Sequence, residues 1–161
     1  MHKQIKYQVF VLLLSFSLCA QNQYYLSSST GNDNNNGSQT QPWKTLSKLS
    51  NTTLGPGDTV YFKKGDTFRG HYVVNGSGTE GNPITFTSYG SGNQPILSGS
   101  DHEDGGGDYR EAILVTNHDN MVFDDLEIQN HRTISRTGVG DLVSFGIRIE
   151  DDVLVQKKGV P

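Results

Sequence analysis

Two stretches carry enough carboxylate to do chemistry. Asp101-His102-Glu103-Asp104, with Asp108, Arg110 and Glu111 around Gly105-Gly106-Gly107, forms one acidic loop. Calcium takes clustered carboxylate oxygens, so Asp101 and Asp104 are candidate ligands that could bridge the metal to an anionic group. The competing reading is a solvated insertion between two strands. Asp124-Asp125 with Glu127 forms the second cluster. On an extended strand Asp125 and Glu127 share one face while Leu126 and Ile128 take the other. Asp124 and Asp125 are therefore also candidate metal ligands, weighed against a plain solvated face. His102 and His118 could carry protons, although a loop histidine is usually polar surface.

Other chemistries lack their residues. Asn32-Asp33-Asn34-Asn35-Asn36-Gly37 has the oxygen spacing of a calcium loop, but Asn32 replaces its leading Asp and Trp43 stands where the closing Glu belongs, so it reads as a turn. Gly-x-Ser-x-Gly is absent, which removes one route to a nucleophilic serine. The one cysteine, Cys19, sits in the N-terminal apolar stretch.

These clusters need a scaffold, and the composition limits which one. The chain has 161 residues, of which 33% are hydrophobic, with 19 glycines. That suits turns and short strands better than a helical bundle, and the length suits one domain. A formal charge of −4 without a basic face argues against nucleic acid as a partner. The charge is uneven, since the carboxylates concentrate after residue 100.

Residues 1–20 read as an export signal: His2, Lys3 and Lys6 precede the apolar run Val9 to Leu18, and cleavage is expected after Ala20. The expected location is therefore secreted, extracellular or periplasmic, with no membrane contact beyond that signal. Loss of Lys3 and Lys6 moves the formal charge from −4 to −6.

Residues 21–57 read as a cap segment. Within it Trp43, Leu46 and Leu49 fall three apart after Pro42, which predicts a short amphipathic helix. Residues 58–161 then repeat short β-branched and aromatic clusters, each stopped by Gly, Asn, Asp or Pro. Val60 and Ile84 are separated by the same interval as Phe123 and Ile147. No Asn-Gly or Asp-Gly joins two strands as a tight hairpin. Very short strands with a period of about 22–25 residues, roughly five coils, suit an all-β right-handed parallel β-helix, a solenoid with a short N-terminal capping helix.

Tyr24-Tyr25-Leu26-Ser27, Gly31-Asn32-Asp33, Pro42-Trp43-Lys44-Thr45-Leu46, Leu54 to Phe62, Gly65-Asp66-Thr67-Phe68, Gly78 to Phe86 and Pro95 to Ser100 resemble the parallel β-helix proteins of the pectate-lyase superfamily. The match is to the N-terminal cap and first coils of exported bacterial members, and it implies action on an acidic polysaccharide, with calcium as the implied cofactor. That family's catalytic residues lie in later coils. The expectation is accordingly a C-terminally truncated front end, inactive alone.

Lyase-type cleavage needs a base at the carbon bearing the carboxyl group, a cation on that carboxylate and a proton for the leaving oxygen. Arg110, Arg132, Arg136 and Arg148 are the candidate bases. Hydrolysis would need two carboxylates at a set separation. The alternative from another class is a non-catalytic carbohydrate-binding or surface-adhesion β-helix, which aromatic platforms on an outer face would mark. The sequence is silent on oligomeric state.

Overall fold

In Thr59-Val60-Tyr61-Phe62-Lys63 the apolar side chains alternate with polar ones, and Val60 and Phe62 are fully buried. Ile84-Thr85-Phe86-Thr87 repeats the pattern. One-face burial of this kind fixes strand register, because a slip of one residue would turn the apolar set outward. The computed structural model describes residues 21–100, 109–131 and 144–151. The expected leader at 1–20 lies outside them, as do Asp101, His102, Glu103, Asp104, Arg132 and Arg136. Among the described residues no helix is long and apolar enough to cross a membrane.

The described chain is mostly strand, in three parallel sheets. The first holds β1 (Gln23–Leu26), β2 (Thr59–Lys63), β5 (Ile84–Tyr89) and β8 (Met121–Phe123), in that order. The second orders β3 (Thr67–Arg69), β6 (Ile96–Ser98) and β9 (Glu127–Gln129). The third orders β4 (Tyr72–Val73), β7 (Glu111–Thr116) and β10 (Phe145–Glu150). From β2 onward consecutive strands lie in different sheets, and each pass of the chain pairs with the one before it.

Register stacks like on like. Tyr24, Val60, Phe86 and Phe123 align in one column, Phe68, Leu97 and Ile128 in a second, and Tyr72, Ile113 and Ile147 in a third. Phe86 and Phe123 stack face to face at 4.8 Å and 10°. The columns meet in a single apolar cluster, so burial of these rings is the main force holding the sheets together.

The paired intervals are longer than the sequence period suggests. Thr59 pairs with Thr85, slightly beyond the expected interval, and Tyr72 pairs with Ile113, far beyond it. Ile147 pairs with Ile113, not with the Phe123 strand that the spacing points to. The described strands form at most four passes. Corners between strands take up the extra residues.

The helix is also shorter than its pattern. α1 spans Leu46–Ser50, with Thr45 as N-cap, its hydroxyl accepting from the Lys48 N–H. Leu46 and Leu49 are buried as expected. Trp43 lies outside it: its N–H donates to the Tyr25 carbonyl, its carbonyl accepts from the Ser27 N–H, and its ring stacks on Tyr24 at 5.0 Å. A residue committed to a strand ladder cannot also be in a helical turn, so the helix starts after it. Asp33 fixes this start by accepting the Lys44 and Thr45 N–H groups and the Thr45 hydroxyl. The Asn-rich segment 32–37 is therefore a turn that braces the cap.

Candidate functional site

Asp124 and Asp125 lie in the corner between β8 and β9, off any strand, so Asp125 and Glu127 do not share a strand face. Asp125 has φ = 51°, a left-handed conformation that Asp tolerates better than most residues. Its Oδ2 is 2.8 Å from Lys64 Nζ and 2.5 Å from the Ser88 hydroxyl, and its Oδ1 accepts from Gln94 Nε2 at 3.1 Å. The Lys64 contact foremost, then Ser88 and Gln94, hold the Asp125 carboxyl down at about 2. Both oxygens are thus engaged in tying three passes of the chain together. In this arrangement Asp125 does not fit a calcium ligand, because a cation would have to displace Lys64. Among the described residues no group of three or more His, Cys, Asp or Glu could hold a metal.

His118 is likewise a brace. Its Nε2 accepts from the Gly76 N–H at 3.3 Å, and its Nδ1 lies 3.2 Å from the Ser77 hydroxyl. Asn130 satisfies turn backbone: its amide nitrogen lies within 3.2 Å of the Tyr109, Arg110 and Phe145 carbonyls. Arg148 contacts Glu111 at 3.3 Å and Glu150 more closely. The Glu150 contact pushes the Arg148 pKa up, helped by Glu111, which is the wrong direction for a general base.

One grouping escaped the sequence. His71 precedes β4, and Glu111 opens β7, the strand paired with it. That pairing brings His71 Nε2 to 3.3 Å from Glu111 Oε1, close enough for a charge contact but too poorly aligned for a hydrogen bond. Tyr109 stacks on His71 at 5.2 Å and 26°. The only sequence signal was alternation in His71-Tyr72-Val73-Val74, which turns Tyr72 inward and His71 outward.

His71 and Tyr109 face a cavity of about 420 Å³ between α1 and the β3–β4 corner, also lined by Arg69, Ser47 and Asn51. A second cavity of about 300 Å³ adjoins it, lined by Lys44, Ser28 and Thr67, and shares Thr45, Leu46 and Arg69 with the first. Among the described residues no carboxylate lines either. On the outer face of the first sheet, Tyr25 stacks on Tyr61 at 4.7 Å and meets Tyr89 edge-on at 5.2 Å.

No family model matches the chain. In sequence it is 37% identical over 109 residues to the lacto-N-biosidase of Bifidobacterium longum subsp. longum, covering 60% of this chain and 6% of that protein. It is 33% identical over 125 residues to the uncharacterized protein YwoF of Bacillus subtilis, covering 75% of this chain and 25% of that one. The chain therefore spans a quarter or less of either relative's length. In structure it is similar to a GH136 lacto-N-biosidase from Eubacterium ramulus, with a TM-score of 0.62 and 24% identity over 80% of this chain and 24% of that one. It is also similar to a rhamnogalacturonan lyase, with a TM-score of 0.59 and 23% identity over 80% of this chain and 32% of that one. Both structural likenesses are likenesses of fold.

Proposed function

We propose that the three parallel sheets are the faces of a right-handed β-solenoid, and that the chain supplies the capped first coils of an exported carbohydrate-active protein. The observation that carries this is the agreement of two independent comparisons. A sequence relative named as a lacto-N-biosidase and solved structures named as a lacto-N-biosidase and a rhamnogalacturonan lyase each match more than half of this chain. The specific form we favour is lyase-type cleavage of an acidic polysaccharide by the whole protein. On this reading these coils contribute architecture and glycan contact. Calcium assistance rests on the sequence clusters at Asp101, Asp104 and Asp124, with Asp125 held by Lys64.

The Tyr25, Tyr61 and Tyr89 rings favour a second reading, a non-catalytic carbohydrate-binding surface, because the C–H face of a sugar packs on aromatic rings.

The full chain should be run in native gels containing polygalacturonate, rhamnogalacturonan or a neutral galactan, and incubated with each in solution. Retardation by an acidic glycan with no bond cleavage supports the reading. Release of unsaturated uronate places a lyase site within this chain, and release of reducing ends without it replaces lyase by hydrolase. Absence of retardation in every gel overturns the carbohydrate assignment. Export is checked separately: the product in the periplasm or medium should begin at Gln21.

A further inference from the structure

We infer that Asn75 is a self-modification site, whose side-chain amide becomes a carboxylate through ring closure onto the Gly76 nitrogen, with His118 as the base. The site lies in the corner between β4 and β5 and uses none of the residues assigned above to glycan or calcium.

The contacts of His118 place the base. It reaches this corner from the next pass, between β7 and β8, and its Nε2 accepts the Gly76 N–H at 3.3 Å. A nitrogen that accepts carries no proton, so the imidazole keeps its proton on Nδ1, 3.2 Å from the Ser77 hydroxyl. The Ser77 oxygen also accepts the Asp119 N–H at 3.2 Å, which holds the ring in this orientation. An unprotonated ring nitrogen is thereby aimed at the one backbone N–H whose proton must leave. Gly76 has no Cβ to keep the Asn75 side chain from that nitrogen. The Asn75 Nδ2, which is the leaving group, donates to the Thr53 hydroxyl at 3.3 Å.

The Gly76 nitrogen attacks Asn75 Cγ as its proton passes to His118 Nε2. A bond from that nitrogen to Cγ forms and the Cγ–Nδ2 bond breaks. The departing nitrogen takes the proton back from His118 and leaves as ammonia. Water then opens the cyclic imide, at Cγ to give aspartate or at the main-chain carbonyl to give isoaspartate. Asn75, Gly76 and His118 are half-buried, so water has access.

Asn36-Gly37 is the same dipeptide wired differently. The Gly37 N–H donates to the Gln41 carbonyl, which is no base, and Asn36 Oδ1 is engaged by the Ser38 N–H. The position of Asn75 gives its conversion a consequence. Its carbonyl accepts the Leu54 N–H at 2.8 Å, and a Cβ on Gly76 would sit 2.0 Å from the Leu54 carbonyl oxygen. An isoaspartyl link adds a methylene and a charge at this contact, and so loosens the stretch after α1 from the end of β4.

The full chain, folded at neutral pH or unfolded in urea, is incubated and then peptide-mapped by mass spectrometry at Asn75 and Asn36. Folding ordinarily slows this reaction by fixing the backbone, so acceleration in the fold is diagnostic. Asn75 should convert about tenfold faster or more in the folded chain than in the unfolded one, as a placed base gives, and Asn36 more slowly. His118→Gln retains an acceptor for the Gly76 N–H but no base, and should abolish the acceleration in a variant that circular dichroism shows to be folded. Conversion at Asn75 no faster in the folded chain overturns the site, whether or not His118→Gln folds. Acceleration that persists in the folded variant overturns His118 as the base. Equal acceleration at Asn36 would trace to the folded chain in general and likewise overturns the site.

Discussion

The Ser27 hydroxyl donates to the Asp66 carboxylate at 2.8 Å, a buried contact that joins the end of β1 to the turn after β2. The same carboxylate accepts the Ser29 hydroxyl at 2.8 Å and the Ser29 N–H at 3.2 Å. Removing it takes the charged acceptor from the fully buried Ser27 hydroxyl, which is left with the Thr30 hydroxyl at 2.9 Å and the Ser29 hydroxyl at 3.2 Å to donate to. Loss of a hydrogen bond to a charged group costs about 1.5–3 kcal/mol. Asp66→Ala should therefore lower the urea midpoint by that equivalent. An unchanged midpoint would show that the serines find water.

Acid should unfold the protein through three aspartates. Burial would raise Asp66, but the Ser29 and Ser27 hydroxyls, the Ser29 N–H and Lys63 outweigh it and hold it low. Burial would likewise raise Asp33, yet the Thr45 hydroxyl, the Lys44 and Thr45 N–H groups and Lys48 hold it low. Asp125 lies at about 2. A carboxyl lowered on folding adds stability that is complete above its unfolded value of about 4 and lost as pH falls through the folded one. Stability followed by thermal melting should not decline through these groups between about pH 7 and 5, then fall from about pH 4 towards 2. A loss already under way at pH 6 would assign acid sensitivity to a histidine.

Tyr72 is fully buried, its ring meets Phe86 edge-on at 5.6 Å, and its hydroxyl has no hydrogen-bond partner. Burial pushes its phenol pKa well up. The ring stabilises the core while the hydroxyl opposes it. Tyr72→Phe should raise stability by about 1 kcal/mol. Destabilisation would mean the hydroxyl bonds a buried water.

Two glycines with positive φ should respond differently to the same change. At Gly76 (φ +132°) a Cβ would sit 2.0 Å from the Leu54 carbonyl oxygen, a backbone atom that cannot step aside. At Gly65 (φ +79°) a Cβ meets nothing within 4 Å. Gly65→Ala should cost only the left-handed strain of about 1–2 kcal/mol, and Gly76→Ala considerably more. Equal losses in chemical denaturation would contradict the clash.

Much of the framework was legible because burial leaves periodic marks. Val60 and Phe62, Ile84 and Phe86, and the run Ala112 to Val115 all announce strands, and the lack of tight hairpin turns announces parallel pairing. Leu46 and Leu49 announce a buried helix face. Which strand pairs with which was not legible from spacing: Ile147 follows Phe123 at the expected interval but pairs with Ile113, because strands of different sheets recur at similar intervals. Asp125 looked like a strand residue because alternation does not mark a corner, and its partners Lys64, Ser88 and Gln94 are remote in sequence. The His71–Glu111 contact joins two equally remote positions and leaves no local pattern at all.

The stretch of chain from Tyr72 to its partner Ile113 is far longer than that from Thr59 to Thr85, yet both ladders keep their register. Length is therefore a free variable at the corners and a fixed one in the strands. Natural variation can lengthen or trim a corner and so redraw the surface a ligand meets, while the rungs beneath are inherited unchanged. The exposed pair Ser91-Gly92, between β5 and β6 and ahead of Asn93 and Gln94, which hold Gly65 and Asp125, is accordingly a place to graft a foreign peptide without re-engineering the ladder.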